Sequence, residues 1–71
     1  MRRVEGIRWT DGGNAVFDLQ VSTSDDLPEL GEVINGLKTA AGSVAQVVQI
    51  GKWVTLDADG SWYDKDGNEV E

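Results

Sequence analysis

Two short acidic stretches near the end of the chain have the residue types of a metal site. Residues 57–60 and 64–67 read DADG and DKDG and repeat with a shift of seven residues. An EF-hand loop also begins with alternating oxygen ligands, but its glycine is the sixth residue and its bidentate glutamate the twelfth. Here each glycine is the fourth residue. Because Asp-Gly favours hairpin turns, we interpret both stretches as turns and predict no metal site.

The sequence lacks most of the groups that catalysis uses. It has no histidine and no cysteine, which removes the commonest general base, thiolate metal sites and disulfides. Carboxylates are abundant, but an acid–base pair needs a cleft that holds two of them at a set separation. A chain of 71 residues has little room for such a cleft. We therefore predict a non-enzymatic protein with no catalytic residue and no cofactor.

Three aromatic residues, Trp53, Trp62 and Tyr63, are the candidates for contact with a ligand or a partner. Exposed rings close to Asp and Gly can bind sugars or choline by stacking and cation–π contact. Aromatic side chains also supply much of the buried apolar surface of a small β-protein, so core packing is the favoured interpretation. Trp53 and Trp62 flank a predicted turn and could pair across neighbouring strands.

The charge and length restrict the partners. Thirteen acidic and six basic residues give a net charge of −7, whereas nucleic-acid binding needs a positive face. No run of apolar residues is long enough to span a membrane, and residues 1–10 lack the apolar part of an export signal. We expect neither a nucleic-acid nor a membrane partner. The chain forms one domain at most, over residues 1–71, and its small core suggests self-association or packing against other subunits.

The hydrophobic pattern predicts an N-terminal β-hairpin over residues 3–21. Ile7 and Trp9 are expected on one face of its first strand and Val4 on the other. Residues 11–14, DGGN, give a strong turn signal. In the second strand, apolar residues alternate with mostly polar ones, which is typical of a half-buried strand. The apolar face comprises Ala15, Phe17, Leu19 and Val21.

Residues 22–42 form a connection with two possible structures. Asp26 and Glu29 fit a capping box, and Leu27, Leu30, Ile34 and Leu37 recur at helical spacing. A short helix over residues 27–36 is the favoured prediction. The alternative is an ordered loop that places leucines 27, 30 and 37 on the sheet.

Residues 43–64 predict a three-stranded meander, followed by a tail over residues 65–71. Short turns between consecutive strands require antiparallel pairing. The valine-rich stretch 43–50 is apolar on both faces, as expected of a central strand. The predicted fold class is thus mainly β, or α+β if the helix forms, with a small antiparallel sheet of about five strands, curled or barrel-like.

Part of the acidic region resembles a single repeat of the choline-binding, cell-wall-binding type. Residues 51–60, GKWVTLDADG, are similar to the G-x-W-Y-Y-L-D-x-D-G pattern of those repeats. Val54 and Thr55 replace the aromatic pair, and we find one copy where the family stacks several. The resemblance implies a carbohydrate- or choline-binding module that uses Trp53, Trp62 and Tyr63.

A longer stretch resembles small proteins encoded in phage and prophage structural gene regions. The shared pattern is Ser-Asp-Leu-Pro, Gly-Ser-x-Ala, Gly-Lys and Asp-Gly-x-Trp-Tyr, and it corresponds here to residues 24–28, 42–45, 51–53 and 59–63. This chain has an additional Asp in the first element and a long connection over residues 29–41. The resemblance implies a virion or head–tail component that contacts other protein subunits, located in the virion or the host cytoplasm.

Overall fold

The structure, a computed structural model, describes residues 1–70 and is mainly β. Strands account for 53% of it, and residues 1–70 contain no α-helix. The predicted mainly β fold class is confirmed. The strands are β1 (Arg2–Asp11), β2 (Asn14–Val21), β3 (Val33–Ile34), β4 (Leu37–Thr39), β5 (Val44–Val47), β6 (Lys52–Leu56), β7 (Trp62–Asp64) and β8 (Glu69–Val70), with single 3-10 turns at Ser24–Asp26 and Val48–Ile50.

All eight strands belong to one sheet, which is organised around β2. Strand β1 pairs with one edge of β2 as the predicted hairpin. The other edge of β2 pairs first with β4 and then with β5, and both of these pairs are parallel. The meander β5–β6–β7 is antiparallel as predicted, and β8 extends it. The prediction of a wholly antiparallel sheet is therefore wrong, because the long connection after β2 allows a crossover. The sheet is mixed and is not closed into a barrel.

The faces of β1 differ from the prediction because the strand contains two β-bulges. The pairing register shifts between Val4 and Gly6 and again between Ile7 and Trp9. Each bulge inserts one residue and so reverses the faces of the residues that follow it. As a result, Val4 and Ile7 lie opposite the buried residues of β2, whereas Trp9 lies opposite Val16 on the other face.

The predicted helix over residues 27–36 does not form. Gly31 has a left-handed backbone angle (φ +85°), which the interior of an α-helix cannot contain, and Val33–Ile34 form strand β3. Asn35, at φ +52°, and Gly36 instead form the two-residue turn that joins β3 to β4. Of the three leucines assigned to a loop in the alternative prediction, Leu27 and Leu37 pack against the core, whereas Leu30 is exposed.

The core covers one face of the sheet, which we call the inner face. Its buried apolar side chains larger than alanine include Phe17, Leu19, Val21, Ile34, Val47, Val54, Leu56 and Trp62. The connection after β2 reaches this face, since buried Pro28 accepts a hydrogen bond of 2.8 Å from the indole N–H of Trp62. The opposite, outer face is partly exposed, with Asp18, Val44, Thr55, Tyr63 and Glu69 aligned in one row across five strands.

Candidate functional site

Both Asp-x-Asp-Gly stretches are hairpin turns of the same construction. In each turn, the glycine N–H donates a hydrogen bond of 3.0 Å to the carbonyl of the first Asp. The N–H of the first Asp donates one of 2.9 Å to the carbonyl of the residue after the glycine. Gly60 and Gly67 have φ of +89° and +81°, which completes a type I turn with a left-handed residue. The interpretation of these stretches as turns is confirmed.

The carboxylates of these turns accept hydrogen bonds from the chain itself. Asp64 Oδ1 accepts from the N–H groups of Asp66 and Asn68 at 2.9 and 3.0 Å, and Lys52 Nζ lies 3.4 Å from Asp64 Oδ2. These contacts, the Asn68 bond above all, hold the pKa of Asp64 below its ordinary value although burial opposes them. Within residues 1–70 there is no group of three or more acidic side chains that could hold a metal ion.

The three candidate aromatic residues do not form one site. Trp62 is only 6% exposed and belongs to the core. Its cross-strand neighbours are Leu56 and Val70, so the cross-strand pair with Trp53 that the sequence allowed does not form. Trp53 lies opposite Gln46 on the outer face and is 59% exposed. Favouring core packing was therefore right for Trp62 and wrong for Trp53.

Tyr63 lies on the outer face with Trp53. It pairs with Thr55, and Trp53 lies two residues before Thr55, so the two rings occupy diagonal positions on neighbouring strands. The Tyr63 hydroxyl donates to Asp59 Oδ2 at 2.7 Å. This bond, more than partial burial, raises the pKa of Tyr63, and it is also the main reason that the pKa of Asp59 is lowered.

The turn before Trp53 carries exposed apolar side chains, which the sequence pattern did not predict. The turn between β5 and β6 presents Val48 and Ile50, which are 50% and 51% exposed. Ile50 and Trp53 line an open pocket of about 430 Å³. We call the pocket residues Ile50, Lys52, Trp53, Asp64, Lys65 and Asp66 the end patch. Val48 and Ile50 were predicted to lie in a strand. They belong instead to a 3-10 turn that ends at Gly51, whose backbone is left-handed, and both side chains lie outside the core.

The free edges of the sheet are poorly suited to pairing with another strand. Strands β3 and β8 have two residues each. Strand β1 is ten residues long, and within residues 1–70 it pairs only with β2. Its two bulges and its arginines are features by which proteins discourage edge-to-edge pairing. Large exposed apolar side chains, rather than free edges, are therefore the features that can support contact with a partner.

Comparison of the chain with protein-family models, with curated proteins and with solved structures found no match in any of the three. Across residues 1–70, the structure contains no helix with the length and apolar character that crossing a membrane requires.

Proposed function

We propose that this chain is a non-enzymatic structural or interaction protein of phage or prophage origin, a virion or head–tail component that acts by contact with other protein subunits. The observation that carries the contact role is the end patch, where Trp53 and Ile50 are more than half exposed beside a pocket. Protein interfaces are enriched in Trp and have apolar centres with polar rims, and the end patch combines the exposed Trp53 and Ile50 with charged residues. The phage origin rests on the sequence resemblance described above.

The end patch supports subunit contact better than the exposed apolar residues of β1 do. In an earlier part of the chain, β1 also carries exposed apolar residues, Ile7 and Trp9, at 44% and 53% exposure. The bulges place these two side chains on opposite faces, so they do not combine into one surface. At the end patch, in contrast, Ile50 and Trp53 border the same pocket.

Two measurements test the proposed function. Capsid, portal or tail genes beside the gene for this chain, together with peptides of the chain in purified phage particles, are the expected result. A neighbouring cell-wall hydrolase gene and absence of the chain from particles would contradict a role in the virion. Replacement of Trp53 by serine should reduce incorporation into particles, whereas the same replacement of Trp9 should leave it unchanged.

The alternative function is a carbohydrate- or choline-binding module. One observation favours it: Trp53 and Tyr63 share the outer face, and the acidic side chains of Asp59 and Glu69 lie beside Tyr63. Cations bind over aromatic rings, and nearby carboxylates strengthen that attraction. Titration with choline or glycans should then change the tryptophan fluorescence in a saturable way, and Trp53→Phe and Tyr63→Phe should weaken the binding. No saturable change is expected if the chain acts only by contact with other proteins.

A further inference from the structure

We propose that the end patch binds a second copy of this chain as a two-fold dimer. This inference rests on the proposed role in subunit contact and specifies one partner. In a two-fold interface the same surface faces itself, so a suitable patch must be complementary to its own copy. The end patch has this property, because its apolar centre, Ile50 and Trp53, lines one pocket together with two lysines and two aspartates.

The free charges of the patch can pair across the two-fold axis. The side chain of Asp64 is only 6% exposed and is already bonded to the turn and to Lys52. The side chains of Lys65 and Asp66, in contrast, are exposed and make no hydrogen bond or ion pair within residues 1–70. Because these two residues are consecutive, Lys65 of each copy can approach Asp66 of the other. Both ion pairs then form at once, around the apolar centre.

The charge of the whole chain also favours this patch as the place of contact. Two copies with a net charge of −7 repel each other. The pocket residues carry two positive and two negative side chains and are therefore neutral, and they include two of the three lysines of the chain. A contact at the end patch thus adds no local repulsion to that of the whole chains.

The size of the patch implies a weak dimer. Seven residues line the pocket, whereas a standard interface uses roughly 20–30 residues from each partner. Association should therefore depend on protein concentration. It should also strengthen with salt, since the repulsion between chains of −7 is screened over about 10 Å at roughly 0.1 M salt, and exposed ion pairs contribute little. A rise from about 20 mM to about 300 mM NaCl should tighten the dimer about tenfold.

Sedimentation equilibrium from about 10 µM to about 1 mM protein tests the proposal. The mass of the wild-type chain should rise from monomer towards dimer, more so at high salt. Trp53→Ser should weaken the dimer at least tenfold, whereas Trp9→Ser should not, although Trp9 is similarly exposed on the same outer face. A wild-type chain that stays monomeric at both salt concentrations overturns the proposal, and so does equal weakening by the two variants.

A charge exchange tests the two-fold geometry through two exposed side chains. Lys65→Asp and Asp66→Lys should each weaken the dimer at about 20 mM NaCl, because like charges then face each other across the axis. An equal mixture of the two variants should associate more tightly than either alone, and the double variant K65D/D66K should recover the dimer. A mixture no tighter than its components overturns the proposed pairing. A monomeric wild type would leave contact with a different protein intact, and the particle experiment decides that question separately.

Discussion

At the scale of single residues, Ser43 fills a gap in the hydrogen bonding of the central strand. Strand β2 pairs with β4 as far as Ala15 and with β5 from Asp18 onwards, so Phe17 lies between the two ladders. The Ser43 hydroxyl accepts a hydrogen bond of 3.0 Å from the Phe17 N–H and donates one of 2.8 Å to the Ala40 carbonyl. The side chain thus serves as a strand partner at a buried position where no strand is present.

Replacement of Ser43 by alanine should therefore destabilise the fold. A buried N–H without a partner costs about 1–3 kcal/mol, and we expect that decrease in the free energy of unfolding by urea denaturation. Ser22→Ala is the matched control, since within residues 1–70 the Ser22 hydroxyl makes no hydrogen bond, and the change should cost less than about 0.5 kcal/mol. Equal effects of the two replacements would show that the Phe17 bond contributes no stability of its own.

At the scale of elements, the two acidic turns share a backbone geometry but differ in what holds them. The leading Asp64 of the second turn is nearly buried, bonds two N–H groups and contacts Lys52 of β6. The leading Asp57 of the first turn is exposed and accepts one long bond of 3.4 Å, from the Asp59 N–H. The second turn is thus attached to the sheet through its first side chain, whereas the first turn is not.

The two leading aspartates should differ in their effect on stability. Asp64→Ala removes the acceptor for two backbone N–H groups and should lower the melting temperature more than Asp57→Ala does. The measurement is thermal unfolding of both variants at neutral pH. Since β7 and β8 flank the second turn, hydrogen exchange of Asn68 and Val70 should also become faster in the Asp64 variant. A larger effect at Asp57 would contradict this account of the turns.

Element type was well predicted where local patterns decide it, and poorly where they do not. Alternation fixed the inner face of β2, and all four of its predicted apolar residues are buried. The same rule failed in β1, since the bulges at residues 5 and 8 leave no clear local signal in the sequence. In residues 27–37 the leucine spacing suited a helix, but the preference of the Asn35-Gly36 pair for a hairpin turn outweighed it.

At the scale of the whole molecule, acidic and alkaline conditions should each weaken the fold through identifiable groups. The pKa values of Asp26, Glu32, Asp59 and Asp64 are lowered in the folded chain. Groups of this kind stabilise the fold above their ordinary pKa, and that contribution is lost as the pH falls through the lowered value. The pKa of Tyr63 is raised above its ordinary 10.0, so its contribution is complete below pH 10 and is lost as the pH rises further.

Tyr63→Phe should therefore act at both ends of the pH range. It removes the hydroxyl that donates to Asp59, so the decrease in melting temperature above about pH 10 should become smaller than in the wild type. The decrease on the acidic side, below about pH 4, should shrink as well, because the pKa of Asp59 loses the main cause of its lowering. Tyr63 is the only tyrosine, so absorbance titration of the wild type reports its pKa directly. Identical pH profiles of the two proteins would contradict this assignment.

The sequence by itself determined the β class, most strand positions, the acidic turns and the absence of histidine and cysteine chemistry. These features depend on alternation and on turn residues, which act over a few positions. The candidate site was predicted in part: Trp53 was among its residues, but Ile50, Lys52 and Lys65 were not. Burial of Trp62 and exposure of Trp53 depend on which strands are neighbours and on the contact of Trp62 with Pro28, far away in sequence. Only the tertiary structure decided these contacts and the parallel pairing of β2 with β4 and β5, because they form between distant parts of the chain.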